Sequence, residues 1–381
     1  MKNKEKVAEN RKVIIGMSGG VDSSVAAYLL QQQGYDVVGL TMRLCEGFTN
    51  SSDAEHVILA KKVAAKLDIE FMSIDYQDEF KDFVVNPFIE AYESGQTPNP
   101  CIECNRCIKF DLMMNDSDEG YESDMEHAPL VATGHYAIVE GPEVELDIAG
   151  TDGRYKLRKS TNLDKDQSYF LYTLSQDTLS KVIFPLGDMD KAKVREIAEA
   201  QGLINAKRKD SQDICFVPDG DYAGFIKGYT SKDYPAGNFV DRDGNILGRH
   251  KGIINYTLGQ RKGLGLALKK PMYVWKLDME RNEVILGDNE DLFTTELTAN
   301  RFNWLTMANP GTGNSFRALG RIRYKHKEAP CTVTANEDGT VSVVFDEPQR
   351  AITAGQSLVL YDIESDTYVL GGGIITGTGL M

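Results

Sequence analysis

A short β-branched run, Lys12 to Gly16 (KVIIG), leads directly into Met17-Ser18-Gly19-Gly20-Val21-Asp22-Ser23-Ser24, and an apolar-faced helical stretch from Ser23 to Gln33 follows, closed by Gly34. This order of strand, glycine-rich loop and helix constrains the fold more than any other feature. The first backbone N–H groups of a helix lack intrahelical partners and sit at the positive end of its dipole, so the loop is an anion cradle. Asp36 to Met42 returns to strand, and Glu55 to Asp68 carries Val57, Leu59, Ala60, Val63, Ala64 and Leu67 at helical spacing. Ile69 to Ile74 is strand again, Phe80 to Tyr92 helix, and Pro129 to Thr133 a buried strand. Such alternation predicts an α/β domain, a Rossmann-like doubly wound parallel sheet covered by helices on both faces.

At 381 residues the chain exceeds one ordinary core. From about Asp219 its texture changes to short alternating segments separated by turn residues, among them DRDGN at 241 to 245, MERN at 279 to 282 and NEDGT at 336 to 340. Tyr273 to Leu277 and Glu283 to Leu286 read as a hairpin. The expected division is a nucleotide-type α/β domain over 1–220, a small central β-rich domain over 221–289 and a β-barrel-like domain over 290–381. No apolar run approaches the roughly 20 residues that span a bilayer, and the N-terminus lacks an apolar signal segment. A cytoplasmic protein without a membrane partner is therefore expected.

Forty-two basic against 57 acidic residues leave a formal charge of −15, which argues mildly against a polyanionic partner. Distribution matters more than the sum. Cations gather at Arg154 to Lys159, Arg249 to Lys251, Arg261 to Lys270 (RKGLGLALKK) and Arg321 to Lys327 (RIRYKHK), the last reading as a strand with four cations on one face. Asp111 to Glu126, with seven carboxylates and neither Lys nor Arg, reads as a solvated surface excursion.

Six cysteines are too few for a disulfide scaffold, and Cys101, Cys104 and Cys107 are grouped while Cys45, Cys215 and Cys331 are scattered. The group stands in a loop leading into a helix from Arg106 to Met114, where the helix N-terminus and Arg106 would lower a thiol pKa. Cys215 alone reads as a small buried hydrophobe.

The loop is neither the lysine-bearing P-loop nor the dinucleotide G-x-G-x-x-G. SGGVDSS resembles the pyrophosphate loop of the ATP pyrophosphatases, which cleave ATP between its α and β phosphates. Together with TPNPCIECNRCIKF, ATGHYA (132 to 137), KDQSYFLY (165 to 172), DSQDICFV (210 to 217), YTLGQRKGLGL (256 to 266) and RIRYKHKEAPC (321 to 331), the chain resembles, over nearly its whole length, the bacterial tRNA-specific 2-thiouridylases. The resemblance implies ATP- and Mg2+-dependent adenylylation of the 2-oxygen of a wobble uridine in tRNA, then its replacement by sulfur from a persulfide donor, a cysteine desulfurase or relay protein. A urea-like carbonyl is a poor electrophile whose oxygen does not leave unaided, so activation is chemically required.

By position, the resemblance implies that Cys215 carries the persulfide and Cys104 is its partner nucleophile. Gly16, Met17, Ser18, Gly19, Gly20, Val21, Asp22, Ser23, Met42 and Gly134 fall where relatives hold ATP. Asn99, Pro100 and Cys101 align with the segment meeting the flipped target base. His135, Lys165, Asp166, Gln167, Lys325, His326 and Gln356 align with tRNA contacts. Several family members have Asp where this chain has Cys101, which leaves three options, the first two being a persulfide relay and a [4Fe-4S] cluster on Cys101, Cys104 and Cys215. A zinc site is the third; Cys107 packs beneath the helix on any of them. The rival functions are an adenylylating ligase acting on a small molecule, which needs no paired thiols, and a non-enzymatic iron–sulfur or tRNA-binding protein.

Overall fold

The computed structural model describes residues 11–45, 53–118, 129–208 and 213–378. Strands β1 (Lys12–Gly16), β2 (Asp36–Arg43) and β3 (Glu70–Asp75) are joined by helices α1 (Val21–Gln32) and α2 (Asp53–Leu67). With β4 (Leu130–Ala132) and β5 (Val182–Ile183) they form an all-parallel sheet in the order β3-β2-β1-β4-β5. The chain leaves β1 toward β2 on one side and returns to β4 on the other, so the strand order reverses between β1 and β4. Open α/β sheets bind ligands at that reversal, beyond the carboxyl ends of the strands.

Both faces of β1 are buried, as a parallel sheet requires. Val13 and Ile15 pack with Val25, Leu30, Ala60 and Val63, whereas Ile14 faces Ile102, Phe110 and Met113. The last three belong to α4, one continuous helix of α-helical Pro100–Glu103, π-helical Cys104–Leu112 and α-helical Met113–Asp118. Before it, α3 likewise runs through Gln77–Phe80, a π-helical turn Lys81–Val85 and Asn86–Glu93. A long π stretch is rare, and π turns recur at functional sites.

Two expectations are corrected here. The helix begins at Pro100, six residues before Arg106, because Pro is preorganised for the first helical position. The acidic stretch over 111–118 extends that helix instead of looping out, while residues 119–126 lie outside the described residues.

Past the α/β sheet, four strands order as Tyr273–Asp278, Glu283–Gly287, Asn238–Val240 and Ile246–Arg249, and the expected hairpin is present. Six further strands between Phe293 and Thr378 close into a barrel, which leaves no sheet edge unpaired. The barrel is joined to the α/β region by a buried polar seam. Tyr169 donates to Ser357 O at 2.9 Å, Tyr172 OH and Ser357 Oγ lie 3.0 Å apart, and Arg154 donates to Trp304 O and Leu305 O. Asn303 Nδ2 donates to Tyr172 O and Leu174 O. Each such bond contributes about 1 kcal/mol net, but a buried donor stripped of its partner costs more.

The expected basic strand at RIRYKHK is absent. Its strand, Ser315–Arg321, stops at the first residue, and Arg321 pairs back to Glu328 at 3.1 Å and bonds Tyr324 O, folding the segment into a turn with Ile322 buried. Only Lys325 and Lys327 of its cations stand exposed.

Candidate active site

The loop after β1 holds itself in shape. Met17 N donates to Leu40 O and Thr41 Oγ1 to Met17 O, both at 2.7 Å, tying the loop to the end of β2, where Met42 follows half-buried. Gly19 adopts φ +69°, where a Cβ would lie 2.9 Å from His56 O. His56 Nδ1 donates to Ser18 O at 3.1 Å. Asn205 Nδ2 donates to both Gly19 O and Ser24 Oγ at 2.9 Å.

The N-cap of α1, Gly20, supplies no side-chain hydrogen bond, so the first turn of α1 keeps its backbone donors for another acceptor. Ser18 Oγ and Ser23 Oγ lie 3.4 Å apart beside it. Asp22, in that first turn, receives Lys191 Nζ at 2.6 and 2.8 Å and the Tyr136 hydroxyl at 2.9 Å. Gly134, following β4 across the reversal, packs directly on this turn, since a Cβ there would stand 2.8 Å from Ser23 N. Gly16 to Ser23, Met42 and Gly134 are thus assembled at the carboxyl edge around one helix N-terminus.

The thiols form a second focus. Cys104 and Cys107 are buried in a cluster with Cys45 and Tyr76, just past the ends of β2 and β3, and with Phe216. Phe216 stands edge-on to Phe80 at 5.7 Å and to Phe88 at 5.2 Å, which anchors the neighbouring Cys215 at the surface beside α4. Cys215 is exposed, not the buried hydrophobe expected of it alone, because Phe216 and Val217 take the core positions. It is close enough to Cys101 and Cys104 that its charge opposes ionisation of both. None of the six cysteines is in a disulfide.

Thiol acidity departs from expectation. Burial pushes the Cys104 thiol up to about 12, against a lowering pull from Lys109, and desolvation of the sulfur also raises Cys107 and Cys101, although Cys101 keeps exposed surface. Arg106 does not activate Cys104, because it is committed to Glu103 at 2.7 Å and acts on Cys107. Lys109 replaces it: i to i+5 spacing in the π-helical segment sets Lys109 on the face of Cys104. A raised thiol pKa keeps thiolate scarce at neutral pH. Alkylation of Cys104 by iodoacetamide should therefore accelerate about tenfold per pH unit from pH 7 to 9. A plateau below pH 8 would contradict this environment.

The remaining expected contacts divide. Tyr324 donates to Asp166 O at 3.1 Å, which sets Lys165, Asp166 and Gln167 beside the turn bearing Lys325 and His326. Within that group Asp166 is buried, accepting from Ser160 N and from both N and Oγ of Ser168, so its carboxylate is structural. Gln167 Oε1 accepts from Tyr136 N. His326 is half-buried and Lys325 exposed. Gln356 Nε2 donates to Thr97 O at 2.6 Å, which brings the barrel to the segment preceding Asn99, Pro100 and Cys101.

His135, expected as a tRNA contact, is buried. It lies 2.7 Å from Thr133 Oγ1 between Phe110 and Phe184, and burial first, then Lys109, holds its pKa well below the ordinary range. Among the described residues no group of three or more His, Cys, Asp or Glu side chains is arranged to hold a metal ion, and no helix is long and apolar enough to cross a membrane.

Sequence reasoning missed Lys109, His56, Lys191, Asn205 and Phe216. Only Lys109, inside the quoted IKF run, and Phe216, beside Cys215, had a local signal.

The chain matches family models described as the tRNA methyl transferase HUP domain over residues 11–219, the tRNA methyl transferase PRC-barrel domain over 223–288 and the aminomethyltransferase β-barrel domain over 294–375. It is 45% identical over 373 residues to a tRNA-specific 2-thiouridylase MnmA of Lachnoclostridium phytofermentans, covering 96% of this chain and 99% of that one. A protein of the same name from Clostridioides difficile is 46% identical over 378 residues, covering 96% and 98%. One from Acetivibrio thermocellus is 45% identical over 375 residues, covering 96% and 99%.

Proposed function

The chain belongs to the family of tRNA-specific 2-thiouridylases, and from that premise we propose that it activates the 2-oxygen of a wobble uridine with ATP and replaces it with sulfur carried on Cys215. The observation that carries this reading is the placement of exposed Cys215 beside Cys101 and Cys104, at the carboxyl edge that also bears the glycine loop.

The helix N-terminus behind Gly19 and Gly20 suits the triphosphate of ATP, whose Mg2+ would offset its charge. Ser18, Ser23 and the first N–H groups of α1 would hold the phosphates. Attack of the uridine 2-oxygen on the α-phosphorus then releases pyrophosphate and leaves the base bonded to AMP. Met113 Sδ stands 3.7 Å from a Cβ built on Gly16. Met113 follows directly on the π-helical segment that begins at Cys104, so α4 runs from the glycine loop to the thiols.

At the far end, Cys104 thiolate attacks the inner sulfur of the Cys215 persulfide, forming a Cys104–Cys215 disulfide and freeing sulfide. Sulfide adds to carbon 2, and AMP departs with the original oxygen. Lys109 favours the anionic sulfur in this step. The exposed Lys325 and Lys327, with half-buried Lys165 beside them, would meet tRNA phosphates. On this reading 1–220 is the catalytic unit, 221–289 the small central domain and 290–381 the tRNA-contacting barrel. An external persulfide protein supplies the sulfur.

The convergence of Cys101, Cys104 and Cys215 also supports a second reading, a [4Fe-4S] cluster. As they stand these thiols do not meet the ligand spacing of a metal group, and no step is routed through one. Anaerobic assay of the holoprotein with tRNA transcript, ATP and a persulfide donor, with iron and sulfide analysis, separates the two. Thiouridine formed at negligible iron supports the relay, and activity proportional to cluster iron overturns it.

Lys191 gives a further check. It neutralises Asp22, a carboxylate in the helix turn that would receive a polyanion. Lys191→Met should raise the KM for ATP about tenfold, equivalent to about 1.4 kcal/mol, with kcat changing far less. An unchanged KM would remove Asp22 from the nucleotide's neighbourhood.

A further inference from the structure

The relay needs two thiols at its chemical step, and this chain places a third one helical turn from the nucleophile. Cys101 and Cys104 are three residues apart in the first turns of α4, Cys101 exposed and Cys104 buried. One α-helical turn holds such Cα atoms roughly 5 Å apart, inside the about 4.4–6.8 Å range of disulfides. A C-x-x-C pair at a helix start, its first thiol exposed and its second buried, is the arrangement of dithiol oxidoreductases. Cys215, on the anchored Phe216 segment, is near enough for its charge to act on both thiols.

We propose that Cys101 is a resolving thiol that frees Cys215 after each sulfur transfer. The inference rests on the relay reading. Cys101 thiolate attacks Cys104 Sγ, the Cys104–Cys215 bond breaks with its electron pair going to Cys215, and a Cys101–Cys104 disulfide forms. The exchange consumes no oxidant or reductant. A small dithiol reductant later supplies the two electrons and two protons that reopen Cys101–Cys104, while Cys215 already accepts its next sulfur.

Direction follows from the two leaving groups. Desolvation raises the buried Cys104 thiol and makes it the poorer leaving group in exchange, and the same helix start holds Cys104 within reach of Cys101. Attack at Cys104 that expels Cys215 is therefore favoured over attack at Cys215 that expels Cys104.

The test is one turnover of persulfide-loaded full-length enzyme with ATP and tRNA transcript, without reductant. Acid quench, alkylation and peptide mass spectrometry then read which disulfide accumulates. Wild type should yield Cys101–Cys104 over Cys104–Cys215 by about tenfold or more, with Cys215 alkylated. Cys101→Ser should yield Cys104–Cys215 with Cys215 protected, a result independent of how fast the first sulfur is delivered. Cys101→Ala should agree, which removes any effect specific to serine. Wild type that retains Cys104–Cys215 overturns the proposal and leaves the relay standing. Thiouridine formed with no disulfide at all overturns the relay itself.

Discussion

Serine at Cys215 or at Cys104 is expected to reduce thiouridine formation by about 10³-fold or more, the scale of removing a covalent nucleophile. A hydroxyl oxygen neither carries a transferable sulfur atom nor attacks a persulfide to release one. Adenylylation uses no thiol, so pyrophosphate release in the presence of ATP and tRNA should continue in both variants. The pair of readouts distinguishes this protein from a ligase acting on a small molecule, which would form no thiouridine and release no pyrophosphate in response to tRNA, with or without the substitution. Thiouridine made at a wild-type rate by Cys215→Ser would remove the central role from that residue.

The second large effect is expected at Gly134→Ala. Its added methyl would stand 2.8 Å from Ser23 N, 3.0 Å from the Asp22 carbonyl carbon and 3.1 Å from Ser23 Cα. All three are backbone atoms of the first turn of α1, so no rotamer change relieves the contact. Either that turn or the Thr133–His135 turn must shift. A displacement near 1 Å at a positioning element costs about 10²-fold in rate, and overpacking costs about 1–3 kcal/mol of stability. Both kcat/KM for ATP and the melting temperature should fall. Gly228→Ala in the helix Tyr222–Thr230 is the control, since nothing lies within 4 Å of its added carbon. Normal ATP kinetics in Gly134→Ala would disconnect this turn from nucleotide binding.

Much of the α/β region was legible because local signals agreed there. The β1 apolar run is too short for a helix, the loop holds glycines where a positive φ and close packing occur, and α1 follows with buried alanines and leucine. The start of α4 was not legible, since the prolines at 98 and 100 suggest a loop and nothing local marks a π-helical register. The same omission hid Lys109, whose relation to Cys104 exists only in that register. Thiol acidity was misread because sequence shows Arg106 nearby but not its commitment to Glu103, nor the burial that outweighs it. RIRYKHK alternates like a strand, and only the fold-back of Arg321 to Glu328 ends it. His135 was placed correctly at the sheet's edge but on its inner side, under Phe110 and Phe184.

The phenol and amide bonds joining Tyr169, Tyr172 and Asn303 across to the barrel have a thermal consequence. Separating the two regions would strand hydroxyls and carbonyls in an apolar setting before water could reach them, so neither region gains by melting first. Heat should therefore meet a single cooperative block there, and the barrel acts as a keystone whose loosening brings down the catalytic half with it.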